Sequence, residues 1–241
     1  MIIDWSVTQV YNTIMAVATG VGLLLILRFG KHLMNEKVGQ LEGWAIGFAI
    51  PGFILTLTGA HMTLTWPLSK MGFAFDDIIF GEPSLAFGVM LLAAAVLLWR
   101  KANLYMKQDI NMKNTKVVSG LLKEELPILL KPLSYFAAAM GLGLISISFA
   151  GVGYQLFVAP PEEPISGWFH EYPMVEAVFM SGLIAITGIG ATLFPFMLKD
   201  NPNPNVVKTI TLCWKVAGII FVLFGAMNYF THIGLIVNTM G

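Results

Sequence analysis

Long apolar runs alternate with short polar connections along the chain. They mark six spans, at residues 7–27, 44–66, 85–99, 133–158, 174–198 and 210–237. Several reach the roughly 20 apolar residues that a helix needs to cross a hydrocarbon core about 30 Å thick. The third is short, and its pattern runs back to Pro83 and on through Leu104. Open strands cannot satisfy their backbone in lipid, and the alternation of a membrane β-barrel is absent, so the expected fold is all-α. The pattern predicts a single transmembrane domain over residues 1–241, a bundle of six spans.

The connection at 102–132 carries a second pattern. Within KVVSGLLKEELPILLK (116–131), Val117, Val118, Leu121, Leu122, Leu126, Leu129 and Leu130 recur at helical spacing, with Lys123, Glu124 and Glu125 on the other face. This predicts an amphipathic helix lying on the membrane surface or docking a partner, interrupted at Pro127.

Composition supports the membrane reading. Of the 241 residues, 56% are hydrophobic and 12% charged, against about 25% charged in a soluble domain. Mean hydropathy is +0.75. Charge then gives direction: 13 of the 14 basic residues fall in the first, third and fifth connections or the helix turns beside them, and only Lys70 lies on the other side. By the positive-inside rule both termini are expected outside. Net charge is zero and the basic residues form no stripe, which excludes an electrostatic case for nucleic acid. Cys213 is the sole cysteine, so there is neither an internal disulfide nor a CxxC motif. The N-terminus lacks the basic region of a secretory signal and carries Asp4 instead, so the first span is expected to stay in the mature protein.

The most suggestive polar residues rise to the expected outer level. The stretch LTGAHMTLTWPLSKMGFAFDDIIFGE (57–82) holds His61 and Glu82, while Glu176 opens the fifth span and His232 lies in the sixth. At about 1.5 Å per residue, His61 is roughly 9 Å and His232 roughly 13 Å outward of the middles of their spans. Each belongs to a polar stripe, Thr58–His61–Thr65 and Asn228–His232. Two imidazoles and two carboxylates make a ligand set for a metal ion, copper, iron or zinc, with His61, Glu82, Glu176 and His232 as ligands. Alternatively, His61 and His232 face each other as axial ligands of haem b, with Gly59 and Gly225 leaving room for the ring. Met62, Met71, Met174, Met180 and Met227 lean the choice of metal toward copper, although methionine also fills helix interfaces. The competing reading is structural: a buried histidine hydrogen-bonds between helices for about 0.6 kcal/mol, and a glutamate at a helix start is favoured by the exposed amides.

Other features read as architecture. His170, among Trp168, Phe169 and Tyr172, fits an interfacial aromatic belt. Gly141 and Gly143 fit close helix packing, and a Gly-Ala pair with methionine just after it recurs in 52–67 and 218–234, an echo suggesting repeated hairpins.

The run GAHMTLTWPL followed by FGEPSLAFGVMLLAAAVLLW resembles the signature of an uncharacterised family of prokaryotic predicted membrane proteins, a domain-of-unknown-function family. The likeness rests on Gly59, His61, Met62, Leu64, Thr65, Trp66, Pro67, Leu68, Phe80, Gly81, Glu82 and Pro83, in the second and third spans. It implies an all-helical membrane protein of a bacterium or archaeon and says little about activity. The expectation is therefore a multi-pass protein of the inner (cytoplasmic) membrane with an outer metal or haem site serving redox or metal handling. Its partners would be the lipid bilayer and either subunits of a larger membrane complex or further copies of itself. A solute transporter with helices broken at Pro51 or Pro195, or a non-catalytic accessory subunit, are the alternatives.

Overall fold

A computed structural model describes residues 4, 5, 8, 10–65 and 74–240. Its described residues form no strand. Six helices follow in order: α1 (Asn12–Met34), α2 (Leu41–Leu64), α3 (Glu82–Lys107), α4 (Thr115–Gly153), α5 (Pro173–Met197) and α6 (Pro204–Thr239). All six are long and apolar enough to cross a membrane. No more than 33% of the most apolar stretch of any of them is buried inside the protein, and large side chains such as Phe149, Leu223 and Phe53 point outward, as lipid contact requires. The expected span ends at Val7 and Trp66 lie outside the described residues, as do Pro67, Leu68, Lys70 and Met71.

Local chemistry sets the helix starts. Proline occupies the first turn of α3, α5 and α6, where its missing N–H costs nothing. Asn203 caps α6 by accepting from the Asn205 N–H at 2.9 Å. Helices then pair closely as α1 with α6, α2 with α3 and α4 with α5. Small residues permit the approach: a methyl on Gly20 would lie 2.6 Å from the Gly218 carbonyl oxygen, and one on Gly141 would lie 2.7 Å from that of Gly188. Gly143, by contrast, meets nothing within 4 Å, so only one of the two expected glycine contacts in α4 exists. Both chain ends lie at one end of the bundle, where Trp5 Nε1 donates to Thr239 Oγ1 at 2.9 Å.

The separate surface helix does not form. Residues 116–131 are instead the first part of α4, which continues through Pro127 and Pro132 for 39 residues, roughly 58 Å. Each proline removes one backbone bond without ending the helix, because packing holds the turns on either side. Part of the apolar face covers protein: Val118, Leu122 and Leu126 are buried with Val38, Leu41, Ala102 and Tyr105, while Val117 and Leu129 are exposed. The charged face is also engaged. Lys123 pairs with Glu36 at 3.4 Å, and Glu125 accepts from the Tyr105 hydroxyl and from Lys101 Nζ, each at 2.7 Å.

Tyr105 is 1% exposed, so its hydroxyl has no recourse to water. Glu125→Ala is expected to cost about 1–3 kcal/mol by leaving that donor unpaired. Tyr105→Phe in the same background should recover most of the loss, measured by denaturant titration in mixed micelles. Additive losses would show that the pair is not coupled.

Candidate functional site

The end of the bundle that carries both termini contains a cavity of about 200 Å³. Six titratable side chains from five segments line it: Tyr11 ahead of α1, Asp76 and Asp77 ahead of α3, Glu163 from the α4–α5 connection, Glu176 from α5 and His232 from α6. Neither lysine nor arginine is among its described lining residues.

Each acid reaches the chamber for a local reason. A π-helical turn at Asp77–Gly81 precedes α3, and such a turn re-aims the residues around it. Asp76 is partly buried at its start and Asp77 is 2% exposed. The α4–α5 connection folds back over α6. Its Ile165 adopts a left-handed φ of 68°, and Asn238 Nδ2 donates to the Glu162 carbonyl oxygen at 2.8 Å. That fold buries Glu163 and sets its Oε1 3.5 Å from His232 Nε2. Glu176 accepts from the Ala159 N–H at 2.6 Å, clamping the same connection to α5.

Electrostatics follow from this crowding of like charge away from water. Burial, with Asp77 adding to it, pushes the Asp76 carboxyl up to about 7. Burial also raises the Glu163 carboxyl above its ordinary range; the Thr231 hydroxyl opposes the rise and Glu176 adds to it. The Tyr11 hydroxyl is raised by burial and then by Asp77. Burial in this chamber therefore favours the protonated forms of Asp76, Glu163 and Tyr11.

The four residues expected from sequence are not gathered into one set. His232 and Glu176 both line the chamber. His61 is exposed outside its wall, with Nδ1 2.5 Å from the Tyr11 hydroxyl, itself part of the lining. Glu82 is exposed as the first residue of α3 and lines no part of the chamber. The threonine stripe beside His61 serves its own helix: Thr58 donates to the Ile54 carbonyl oxygen and Thr65 to that of His61. Asn228 and His232 do share a face, and both meet the cavity. Among the described residues no group of three or more His, Cys, Asp or Glu is disposed to hold a metal ion. His170 is exposed beside Trp168, Phe169 and Tyr172, as an interfacial cluster would be.

Asp76, Asp77 and Glu163 escape helix periodicity because none lies inside an apolar span, and Tyr11 sits near the start of the first span without a charge to mark it. The signal of these acids is their clustering, at 76–77 and 162–163, in connections that hold one lysine, Lys70, between them.

A larger apolar cleft, about 270 Å³, adjoins the chamber and runs between α1, α3, α4, α5 and α6. Asn12, Phe80, Met180, Phe224 and Asn228 line both spaces and so form their junction. No curated protein and no solved structure matches the chain. The model of a protein family of unknown function, DUF981, matches residues 8–234. With nearly its whole length covered, from the chamber residues ahead of α1 to the turn of α6 that carries His232, the chain belongs to the DUF981 family.

Proposed function

We propose that the protein is a multi-pass protein of the inner (cytoplasmic) membrane of a prokaryotic cell, with both termini outside, whose acidic chamber binds a positively charged group in exchange for protons. The carrying observation is that Asp76, Glu163 and Glu176 share one cavity with neither lysine nor arginine in its described lining. Carboxyl groups crowded together away from water favour their protonated forms, and a bound cation favours the ionised ones. The distribution of lysine and arginine sets the orientation, which directs the chamber to the outer face. His232, 3.5 Å from Glu163, is the group through which a proton leaves or enters as the ligand exchanges.

The metal expectation has less support than a cation in general, because no three of His, Cys, Asp or Glu among the described residues are disposed to hold a metal ion. The test is thermal unfolding of the protein in nanodiscs with methylammonium, sodium or zinc at pH 6 and pH 8, alongside proton release into weak buffer. A bound cation at 100 times its Kd should add about 2.7 kcal/mol of stability. The gain should be larger at pH 8, proton release per bound cation should be larger at pH 6, and both should be reduced in Glu163→Gln. Stability indifferent to every cation at both pH values would refute the proposal. Stoichiometric zinc lost in His232→Ala would identify the cation as a metal.

A further inference from the structure

From the junction of the two cavities we infer a ligand class: a long-chain amphiphile bearing a primary ammonium, its head in the acidic chamber and its chain in the apolar cleft. The inference rests on the cation-binding reading above and deepens it.

Three independent features converge. The first is continuity, since the cleft lined by Leu23, Phe87 and Ile184 meets the chamber at Asn12 and Asn228. Along α6 the cleft runs from Asn228 to Trp214, roughly 21 Å, which suits an extended chain rather than a compact solute. The second is unmet hydrogen bonding. Asn228 is 4% exposed, yet its Oδ1 has no partner among the described residues, and Asn12 Oδ1 is likewise buried and unpartnered. A buried acceptor without a donor is costly, so two at one junction specify a ligand with N–H or O–H groups there. The third is charge: the space beyond the junction is lined by the carboxyl groups of Asp76, Glu163 and Glu176, with neither lysine nor arginine among the described residues, which favours ammonium over hydroxyl and disfavours a fatty carboxylate.

In a bilayer the chain gains little by leaving lipid for a protein cleft, because both are apolar. Selectivity therefore resides in the head, and the cleft serves to deliver the head to the junction from within the membrane.

Trp214 lines the far end of the cleft and reports chain entry. Protein in nanodiscs is titrated with hexadecylamine brominated at the chain end, and tryptophan quenching is followed. The expected result is saturable quenching, reversed by unbrominated hexadecylamine and lost with Trp214→Phe. The brominated alcohol should bind at least tenfold more weakly, and the brominated fatty acid and the trimethylammonium analogue, which has no donor, should give no saturable component. Asn228→Leu and Asn12→Leu should each weaken the amine by about tenfold. Quenching that simply follows mole fraction, equal binding of all heads, an alcohol as tight as the amine, or indifference to both asparagine variants overturns the assignment. If methylammonium stabilises the protein while the brominated amine never saturates, the lipid assignment falls and cation binding stands. If neither binds, both fall.

Discussion

Asp76→Asn is expected to abolish most of the stability loss that the wild-type protein shows as pH rises from about 4 to about 7. The ordinary carboxyl value of 3.8 is raised to about 7 in the fold by burial first and by Asp77 second. Between those values the native protein keeps a proton that the unfolded chain has released, so stability falls as pH rises and levels off above the upper value. At about 1.4 kcal/mol per pH unit, the loss attributable to this carboxyl is bounded at about 4 kcal/mol. An amide of the same shape carries no such penalty, so the variant should be the more stable protein at pH 8 and match wild type near pH 4. Glu163 acts with the same sign and remains in the variant, leaving a smaller slope. Asp77, Glu176, His232 and Tyr11 line the same chamber, so the comparison is made against Asp109→Asn, an exposed site at the opposite end. Denaturant titrations in mixed micelles across pH 4–8 measure the effect. Parallel stability profiles for wild type and Asp76→Asn would show that this carboxyl is not the group responsible.

Membrane helices were legible because their signal is local: an apolar run of sufficient length is a helix whatever it packs against. The centres of all six spans fall within the observed helices. Helical spacing over 116–131 is realised, but Pro127 does not interrupt the helix, which packing against Val38, Ala102 and Tyr105 keeps intact. Amphipathicity showed that this segment had a face to bury without saying what would cover it. The site divided along the same line. Asn228 and His232 share a face by spacing alone, and the structure keeps them together at the cavity. Glu163 and Asp76 come to them only because two connections fold back over the bundle end, a tertiary event with no periodicity to announce it. His61 illustrates the converse: its place near the end of α2 is legible from spacing, whereas the rotation that sets its exposed ring against Tyr11 is not.

Gly59→Ala is expected to destabilise the protein by about 1–3 kcal/mol or more, whereas Gly143→Ala should stabilise it by about 0.5–1 kcal/mol. Both glycines lie within helices and both changes add one methyl, so helix propensity alone favours the alanine in each case. The difference is what the methyl meets. At Gly59 it would lie 2.7 Å from the Gly81 carbonyl oxygen and press on the Leu85 backbone nitrogen, neither of which can rotate aside. At Gly143 nothing stands within 4 Å. Because lipid gives helices no hydrophobic reason to associate, close backbone approach supplies much of the attraction between α2 and α3, and forcing them apart forfeits it. Gly81 ends the π-helical turn that begins at Asp77, so the same displacement moves the two aspartates of the chamber. Gly59→Ala should therefore also shrink the pH-dependent part of the stability, while Gly143→Ala leaves it intact. Both quantities come from one set of denaturant titrations, and equal effects of the two variants would mean that the α2–α3 contact does not hold the chamber in shape.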